Sequence, residues 1–241
     1  DCGTELIGTG PFQLESWTVG EELVTVKNPE YWMTDEQGNQ LPYLDELTYV
    51  PIPEQSSRVN ALESGQVQMI HTSDTEQIAQ RLQPLAEQGA INLLATDAYG
   101  EVNYLMLNMQ QAPFDNRNAR LALAHALDRQ LLIDVRGGGL GQVADGPFAE
   151  GVPGHVADPG FPEYDPAKAE EYAAAYEEET GEELSFSYTF VTSESQQLTA
   201  QEIQTQLADV GIEVRLDPAG DQATTINSAL AGDFQAMGFR N

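Results

Sequence analysis

Strand and helix patterns alternate along the last part of the chain, and this order restricts the fold more than any other feature. Three apolar runs typical of buried strands are separated by two amphipathic helix patterns. The strand patterns cover residues 184–191, 212–216 and 234–239, and the helix patterns cover residues 198–210 and 224–231. A β-α-β-α-β order predicts parallel strands that are joined by right-handed crossovers. We therefore expect an α/β fold.

A bent, two-part helix is predicted ahead of this region. Pro113 ends an extended run, and Asp115 is expected to cap a helix that begins at Asn116. At 100° per residue, the apolar side chains that share one stripe are Leu121, Ala124, Leu127, Leu131 and Leu132. Asp128 falls on the same stripe, where a carboxylate needs a partner. We interpret Asp128 as the N-cap of a second helix, which the three glycines 137–139 end.

The other elements follow from local patterns. Strands are predicted over 12–16, 23–27, 46–52, 67–70 and 102–107, and helices over 57–64, 75–88 and 166–180. Asp74 and Asp165 are the expected N-caps of the last two helices, and Pro84 is expected to kink or break the first of these. His125 is interpreted as a satisfied histidine at the core or its rim.

Short motifs along almost the whole chain occur in the order that one protein family shows. They are Gly8-Thr-Gly-Pro-Phe12, Trp17, Asn28-Pro-Glu-Tyr-Trp32, Leu41-Pro-Tyr-Leu-Asp45, Arg58 with Ala61-Leu-Glu-Ser-Gly65, Pro113-Phe-Asp-Asn116 with Arg120, Ala122, Ala126 and Leu127-Asp-Arg129, Val210-Gly-Ile-Glu-Val214, and Gly232-Asp-Phe234. Several unrelated motifs in the right order are far more specific than any one of them. The chain resembles the family 5 extracellular solute-binding proteins, which are the oligopeptide, dipeptide and nickel receptors of bacterial ABC importers.

The resemblance implies a periplasmic-binding-protein-like type II fold, in which two lobes are built from mixed sheets flanked by helices. It assigns residues 1–107 to the end portion of lobe 1 and residues 108–241 to most of lobe 2. Family members are longer and carry an N-terminal signal or lipoprotein sequence, whereas this chain starts Asp1-Cys-Gly-Thr4. We therefore expect a fragment that is incomplete at both ends.

The function that the resemblance implies is that of an extracellular receptor, either periplasmic or a cell-surface lipoprotein. Such a receptor captures a small solute, most commonly a peptide, by hinge closure, and an ABC permease in the membrane recognises the closed form. We expect a monomer. No cofactor, no metal and no catalytic residue is expected.

Candidate ligand-binding residues come from two parts of the chain. By resemblance, the chain crosses between the lobes at strand 102–107, whose side chains would face the interlobe cleft. The candidates are Tyr104, Met106 and Asn108 on or after this strand, and Phe190, Thr192, Ser193, Phe239 and Arg240 in the second lobe. Tyr31 and Trp32 could stack on a ligand, but a core or rim position is favoured for them.

Two departures from the dipeptide receptors of the family bear on the ligand. Those receptors hold the peptide carboxylate with an arginine in a segment that here reads Phe190-Val-Thr-Ser-Glu-Ser195 and contains no arginine. Their aspartate for the peptide's amino end follows a Met-Gly-Trp string; this chain has Met237-Gly-Phe239 and ends at Asn241, so that position lies outside it. We expect no selection of free dipeptides by their C-terminus, and a roomier site for longer peptides or another polar solute.

The charge balance limits the partners. The chain has 39 acidic and 10 basic residues, a formal net charge of −29. Nucleic acid and anionic membranes would be repelled. The acidity could attract cationic ligands, but we favour a solvated acidic surface suited to salty external conditions. The acidic runs 177–179 and 182–183 fit this interpretation, since they are expected to face water near a helix end.

Other functional classes remain as alternatives. Enzyme chemistry finds little support, because the sequence has no Gly-x-Ser-x-Gly and its three histidines and one cysteine lack zinc-ligand spacing. Gly137 to Gly141 follows a helix instead of a strand, which is the wrong context for a nucleotide loop. The rivals are an acidic protein-interaction module without a small solute, and a hydrolase. Cys2 is either free or paired with a cysteine outside the chain.

Overall fold

A computed structural model describes residues 7–95 and 101–240 of the chain. These residues belong to two units, one that ends at Ile70 and one that begins at His71. The unit boundary does not coincide with the lobe boundary expected at residue 107, and the assignment of lobes stays a prediction. Cys2 lies outside the described residues.

The first unit contains a three-stranded antiparallel sheet in the order β1-β2-β3. Its strands are β1 (Phe12–Thr18), β2 (Glu22–Lys27) and β3 (Glu46–Tyr49), and its helix is α1 (Gln55–Glu63). Gly20 adopts φ +84° in the turn that joins the antiparallel strands β1 and β2, a conformation that glycine adopts without strain. The strand expected over residues 67–70 is not formed, and that prediction is wrong. The N–H of Val67 donates to the carbonyl of Ala61 at 3.1 Å, so the end of α1 holds this segment.

The loop between β2 and β3 is fixed by hydrogen bonds within the loop itself, although most of its side chains are exposed. The carboxylate of Asp35 accepts hydrogen bonds from the backbone N–H groups of Gln37 (2.9 Å) and Asn39 (2.8 Å), and from the Tyr43 hydroxyl (2.6 Å). Trp32 is 75% exposed, which excludes the core from the two positions, core or rim, that were favoured for this side chain.

The second unit contains a four-stranded mixed sheet in the order β4-β7-β5-β6. Its strands are β4 (Asn103–Leu107), β5 (Ser185–Phe190), β6 (Glu213–Pro218) and β7 (Ala236–Arg240). Strand β5 pairs in parallel with β6 and with β7, and β4 pairs antiparallel with β7. The parallel arrangement predicted from the β-α-β-α-β order is therefore confirmed.

The helices of the second unit precede, connect and pack near the strands of this sheet. They are α2 (Thr75–Gln77), α3 (Gln83–Glu87), α4 (Arg117–Ala126), α5 (Arg129–Arg136), α6 (Pro166–Thr180), α7 (Glu194–Asp209) and α8 (Gln222–Ala231), with a π-helical turn at Ile78–Leu82 between α2 and α3. The crossovers through α7 and α8 run in opposite directions across the sheet. Because such crossovers are right-handed, α7 and α8 lie on opposite faces.

The hydrophobic core lies on the face that α4, α6 and α7 cover. Phe186, Tyr188 and Phe190 alternate along β5 and all point into it. Phe114, fully buried ahead of α4, meets the ring of Phe186 edge-on at 4.9 Å. This packing fixes the sheet and so the positions of the strand ends.

The two-part helix forms, but its cap and its buried face differ from the prediction. Asn116, not Asp115, caps α4, and its side chain accepts from the N–H of Asn118 at 2.7 Å. The buried residues of α4 are Ala119, Ala122, Leu123, His125 and Ala126, so the predicted stripe through Leu121 and Ala124 is wrong. Asp128 caps α5 as predicted, accepting from the N–H of Leu131 at 2.9 Å.

The N-caps predicted for two other helices are confirmed, since Asp74 and Asp165 cap their helices. The helix that contains Pro84 changes to a π-helical turn just before the proline, which is where an irregularity was expected. His125 is 8% exposed and its Nδ1 lies 2.8 Å from the carbonyl of Glu163, in agreement with a satisfied histidine. Glu179 does more than face water, because its carboxylate accepts from the Asn116 side chain at 3.0 Å.

Candidate functional site

The candidate site lies at one edge of the four-stranded sheet. Strands β5, β6 and β7 are parallel, so their carboxyl ends meet at this edge, which we call the carboxyl edge. Strand β4 is antiparallel, so its first residues lie there too. The residues of the carboxyl edge are Glu101, Asn103, Tyr104, Thr192, Ser193, Gly220, Asp221, Phe239 and Arg240. In open α/β sheets, ligands bind beyond the carboxyl ends of the strands.

An aromatic pair stands at this edge. Tyr104 and Phe239 are partners in the β4–β7 register, and their rings lie 6.2 Å apart, tilted by 47°. Tyr104 is 39% exposed and Phe239 is half-buried. Met106 follows on the same face of β4 and pairs with the fully buried Met237. The pair thus offers an apolar surface, backed by packed side chains, on which a solute can stack.

Two hydroxyl groups follow the end of β5 at the carboxyl edge. The N–H of Thr192 donates to the carbonyl of Gly220 at 2.7 Å, and the Thr192 hydroxyl accepts from the N–H of Gly220 at 3.0 Å. Ser193 caps α7, where its hydroxyl accepts from the N–H of Gln196 at 3.3 Å. Since each hydroxyl is used as an acceptor, its own proton is available for donation to a ligand.

Arg240 is the cation of this edge. Its Nη1 donates to the Ser73 hydroxyl at 2.8 Å and lies 2.9 Å from the Glu101 carboxylate. Both charged side chains are 48% exposed. Neither partner could be predicted from the sequence, because Ser73 is 167 residues away along the chain and acidic residues are abundant. Arg240 is therefore held in place while half of its surface stays open.

Asp221 adds an acidic group that sequence reasoning missed. It caps α8, and its carboxylate accepts from the N–H of Thr224 at 2.8 Å. Hydrogen bonds from Thr224 lower the pKa of Asp221 below the ordinary value of 3.8, and the backbone N–H has a larger effect than the side chain. The group stays ionised at neutral pH and could hold an ammonium group.

Two of the eight predicted residues lie elsewhere. Phe190 is 1% exposed and stacks on Tyr188 at 5.7 Å in the core, so it has no open surface for a ligand. Asn108 lies at the opposite edge, where its side-chain amide donates to the carbonyls of Gly232 (3.0 Å) and Phe234 (3.1 Å). Tyr104, Thr192, Ser193, Phe239 and Arg240 all lie at the carboxyl edge, and Met106 follows Tyr104 on the same face of β4.

Two further observations concern metals and membranes. Within residues 7–95 and 101–240, no group of three or more His, Cys, Asp or Glu side chains is placed to hold a metal ion. In the same residues, we find no helix with the length and apolar character that crossing a bilayer requires.

Comparison with known proteins shows the family. The family model for bacterial extracellular solute-binding proteins, family 5, middle region, matches residues 2–240. The chain therefore belongs to the family 5 bacterial extracellular solute-binding proteins. Glutathione-binding protein GsiB of Salmonella typhimurium is 33% identical over 232 residues, which are 94% of this chain and 42% of that protein. GsiB of Escherichia coli O1:K1 is 30% identical over the same length. The chain thus spans less than half the length of these relatives.

Solved structures of periplasmic binding proteins share the fold. DppA from Helicobacter pylori, in complex with the peptide STSA, has a TM-score of 0.82 at 24% identity and matches 97% of this chain and 43% of its own. The murein tripeptide binding protein MppA of Escherichia coli also gives 0.82, at 23% identity, over 98% and 45%. AppA from Bacillus subtilis, in complex with a nonapeptide, gives 0.77 at 25% identity, over 96% and 46%. The expected periplasmic-binding-protein fold is confirmed, and the chain spans less than half the length of each of these proteins.

Proposed function

We propose that the whole protein is the solute receptor of an ABC importer, which captures peptides outside the cell and presents them to a membrane permease. The observation that carries the proposal is the membership of residues 2–240 in the solute-binding family. Hinge closure around the solute would place Tyr104, Met106, Thr192, Ser193, Phe239 and Arg240 against it. The proposed location is extracellular, either periplasmic or lipid-anchored at the cell surface.

The chemistry of the carboxyl edge supports a peptide as the solute. A peptide carries amide groups that accept from the Thr192 and Ser193 hydroxyls, and side chains that can pack on Tyr104 and Phe239. The solved relatives that were crystallised with peptides hold a tetrapeptide and a nonapeptide. Because the relatives at 33% identity are named for glutathione binding, glutathione is the first single solute to test.

The test is a thermal shift screen of the full-length protein against glutathione and a library of two- to nine-residue peptides. A ligand that binds only the folded state raises the melting temperature. It stabilises that state by about 2.7 kcal/mol when its concentration is a hundred times Kd. Tyr104→Ala should weaken the shift, whereas Tyr49→Ala, an exposed tyrosine of the first unit that is 56% accessible, should leave it unchanged. No shift with any peptide would favour the acidic protein-interaction module, and turnover of model esters or amides would favour a hydrolase.

Dipeptides are expected to be poor ligands, or at least not to be held by their C-terminal carboxylate. The segment 190–195 has no arginine to form a bidentate pair with that group. Calorimetry on the full-length protein should find similar, weak affinities for free and C-terminally amidated dipeptides. Tight binding that is lost on amidation would show this expectation to be wrong.

A further inference from the structure

The Arg240 guanidinium is held by other side chains through one of its nitrogens, Nη1. Nη1 is shared between the Ser73 hydroxyl at 2.8 Å and the Glu101 carboxylate at 2.9 Å. Among residues 7–95 and 101–240, no hydrogen-bond or ion-pair partner occupies Nε or Nη2. The planar fork of an arginine has two edges, and each can take a carboxylate with two parallel hydrogen bonds. The contacts of Nη1 therefore set the direction of Nε and Nη2.

The position of Arg240 matches the rest of the carboxyl edge. Strand β7 pairs with β5 so that Met237 is level with Thr189. Arg240 is the last residue of β7, and Thr192 lies two residues beyond the end of β5, so both are at the carboxyl edge. The Thr192 hydroxyl, the N-terminus of α7 at Ser193 and the guanidinium thus share one edge of the sheet. All three favour a negatively charged oxygen.

We propose that Arg240 binds a carboxylate of the solute through its Nε and Nη2, with Glu101 and Ser73 as positioning residues that hold the guanidinium. This inference rests on the proposed function and names a class of solute: peptides longer than a dipeptide, glutathione included, that carry a carboxylate in reach of the carboxyl edge.

The charge of the chain favours a dedicated cation for such a solute. A formal net charge of −29 opposes the approach and the burial of any anion. A cation in direct contact stabilises a carboxylate in this field more strongly than neutral donors do. Glu101 offsets part of the charge of Arg240, so its removal should make the guanidinium a stronger receptor for anions, provided the orientation is kept.

The experiment compares glutathione with its diethyl ester, which lacks both free carboxylates, by calorimetry on the full-length protein. Arg240→Gln should weaken glutathione binding roughly tenfold or more, since charge-assisted hydrogen bonds are lost, and should leave binding of the diester nearly unchanged. Arg240→Lys keeps the charge but not the fork, so its affinity for glutathione should lie between those of the wild type and Arg240→Gln. Glu101→Gln, whose amide oxygen can still accept from Nη1, should tighten glutathione binding and not diester binding.

Arg215→Gln is the matched control. Arg215 is an exposed arginine in the middle of β6, where it is level with Ser187, so the substitution removes the same charge away from the edge. It should leave unchanged the ratio of the dissociation constants for glutathione and for its diethyl ester. Near-ultraviolet circular dichroism of each variant shows that the fold is retained. A second set of ligands consists of C-terminally amidated tetrapeptides in pairs. One member of each pair carries a single aspartate, and the other carries asparagine in its place.

The outcomes separate the two proposals. If glutathione or the tetrapeptides bind but Arg240→Gln affects acidic and neutral ligands equally, or neither, the role of Arg240 is overturned and the receptor function stands. If Arg215→Gln changes the ratio as much as Arg240→Gln, the effect belongs to the general field and the specific site is also overturned. If none of these ligands binds to the wild-type protein, the proposal that the solute is a peptide is wrong, and this inference is wrong with it.

Discussion

The cap of helix α5 depends on a single side chain. Asp128 accepts from the N–H of Leu131 at 2.9 Å, and its own N–H donates to the Gln206 side chain at 2.8 Å. Asp128→Ala removes only the first of these bonds, because the second uses the backbone. We expect a loss of about 1 kcal/mol in the free energy of unfolding, measured by denaturant titration.

Asparagine provides the control at the same position. Asp128→Asn keeps a side-chain oxygen that can cap the helix, so it should retain most of the stability that alanine loses. If the alanine and asparagine variants both unfold like the wild type, the cap contributes nothing to stability.

The pKa of Asp35 should be unusually low, and one hydroxyl should be the main reason. The hydrogen bond from Tyr43, followed by that from Asn39, lowers the pKa of Asp35 from 3.8 to about 2. Tyr43→Phe should therefore raise the pKa towards 3.8, as measured by the carbon-13 shift of the carboxyl group during an acid titration. A titration midpoint that is unaffected by the phenylalanine would contradict this assignment.

The sign of the effect on stability follows from the direction of the shift. The pKa of Asp35 is lower in the folded state, so its contribution is fully present above about pH 4 and is lost as the pH falls through about 2. Asp35→Asn should accordingly lower the melting temperature at pH 6, and the difference from wild type should shrink as the pH approaches 2.

Among the elements, strand β7 has no room for a larger side chain at Gly238, where it lies beside Tyr188 of β5. A Cβ added at Gly238 would lie 2.6 Å from the hydroxyl oxygen of Tyr188, whose side chain is buried. Gly238→Ala should cost on the order of 1–3 kcal/mol, as overpacking in a core usually does. The measurement is again the free energy of unfolding.

A second substitution tests whether the contact is the cause. Tyr188→Phe removes the hydroxyl, and the next nearest ring atom lies 3.5 Å from the added Cβ, an ordinary contact. Gly238→Ala should therefore cost less in the Tyr188→Phe background than in the wild type. Equal costs in both backgrounds would point to the backbone of β7 instead of the tyrosine.

Elements marked by strong local signals could be predicted from the sequence, and those marked by weak ones could not. Asp165 and Gly181 bound α6, and Asp128 begins α5, because caps and left-handed glycines are local features. Helix α4 is rich in alanine, so its polar and apolar faces differ little in sequence. Its true buried face was set by close packing against α6, which only small side chains permit.

The candidate site was predicted only in part, for a related reason. The alternation along β4 and β7 shows which side chains share a face, but not that the two strands pair. That pairing brings Tyr104 against Phe239 and was not visible in the sequence. Asn108 was expected to face a ligand, yet its amide completes the backbone bonding of residues 232–234, and no local pattern reports such a distant partner.

At the scale of the whole molecule, the acidic residues act mainly through their combined field. Few of them have a basic partner: the ion pairs of the described residues include Arg129 with Asp145, Arg136 with Glu76, and Arg240 with Glu101. With 39 acidic and 10 basic residues, most carboxylates cannot be paired at all. Mutual repulsion in the folded state therefore opposes folding at low ionic strength.

The melting temperature should rise by several degrees as sodium chloride is increased from low millimolar to molar concentration. Screening acts on all exposed acids together, and the Debye length falls from about 30 Å at 0.01 M to about 3 Å at 1 M. Replacing Glu177, Glu178 and Glu182 with glutamine removes three exposed charges near the end of α6 and should make the salt dependence shallower. Glu179 is kept in this variant because its carboxylate binds Asn116. A melting temperature that stays flat or falls with salt would show that repulsion between these acids does not limit stability.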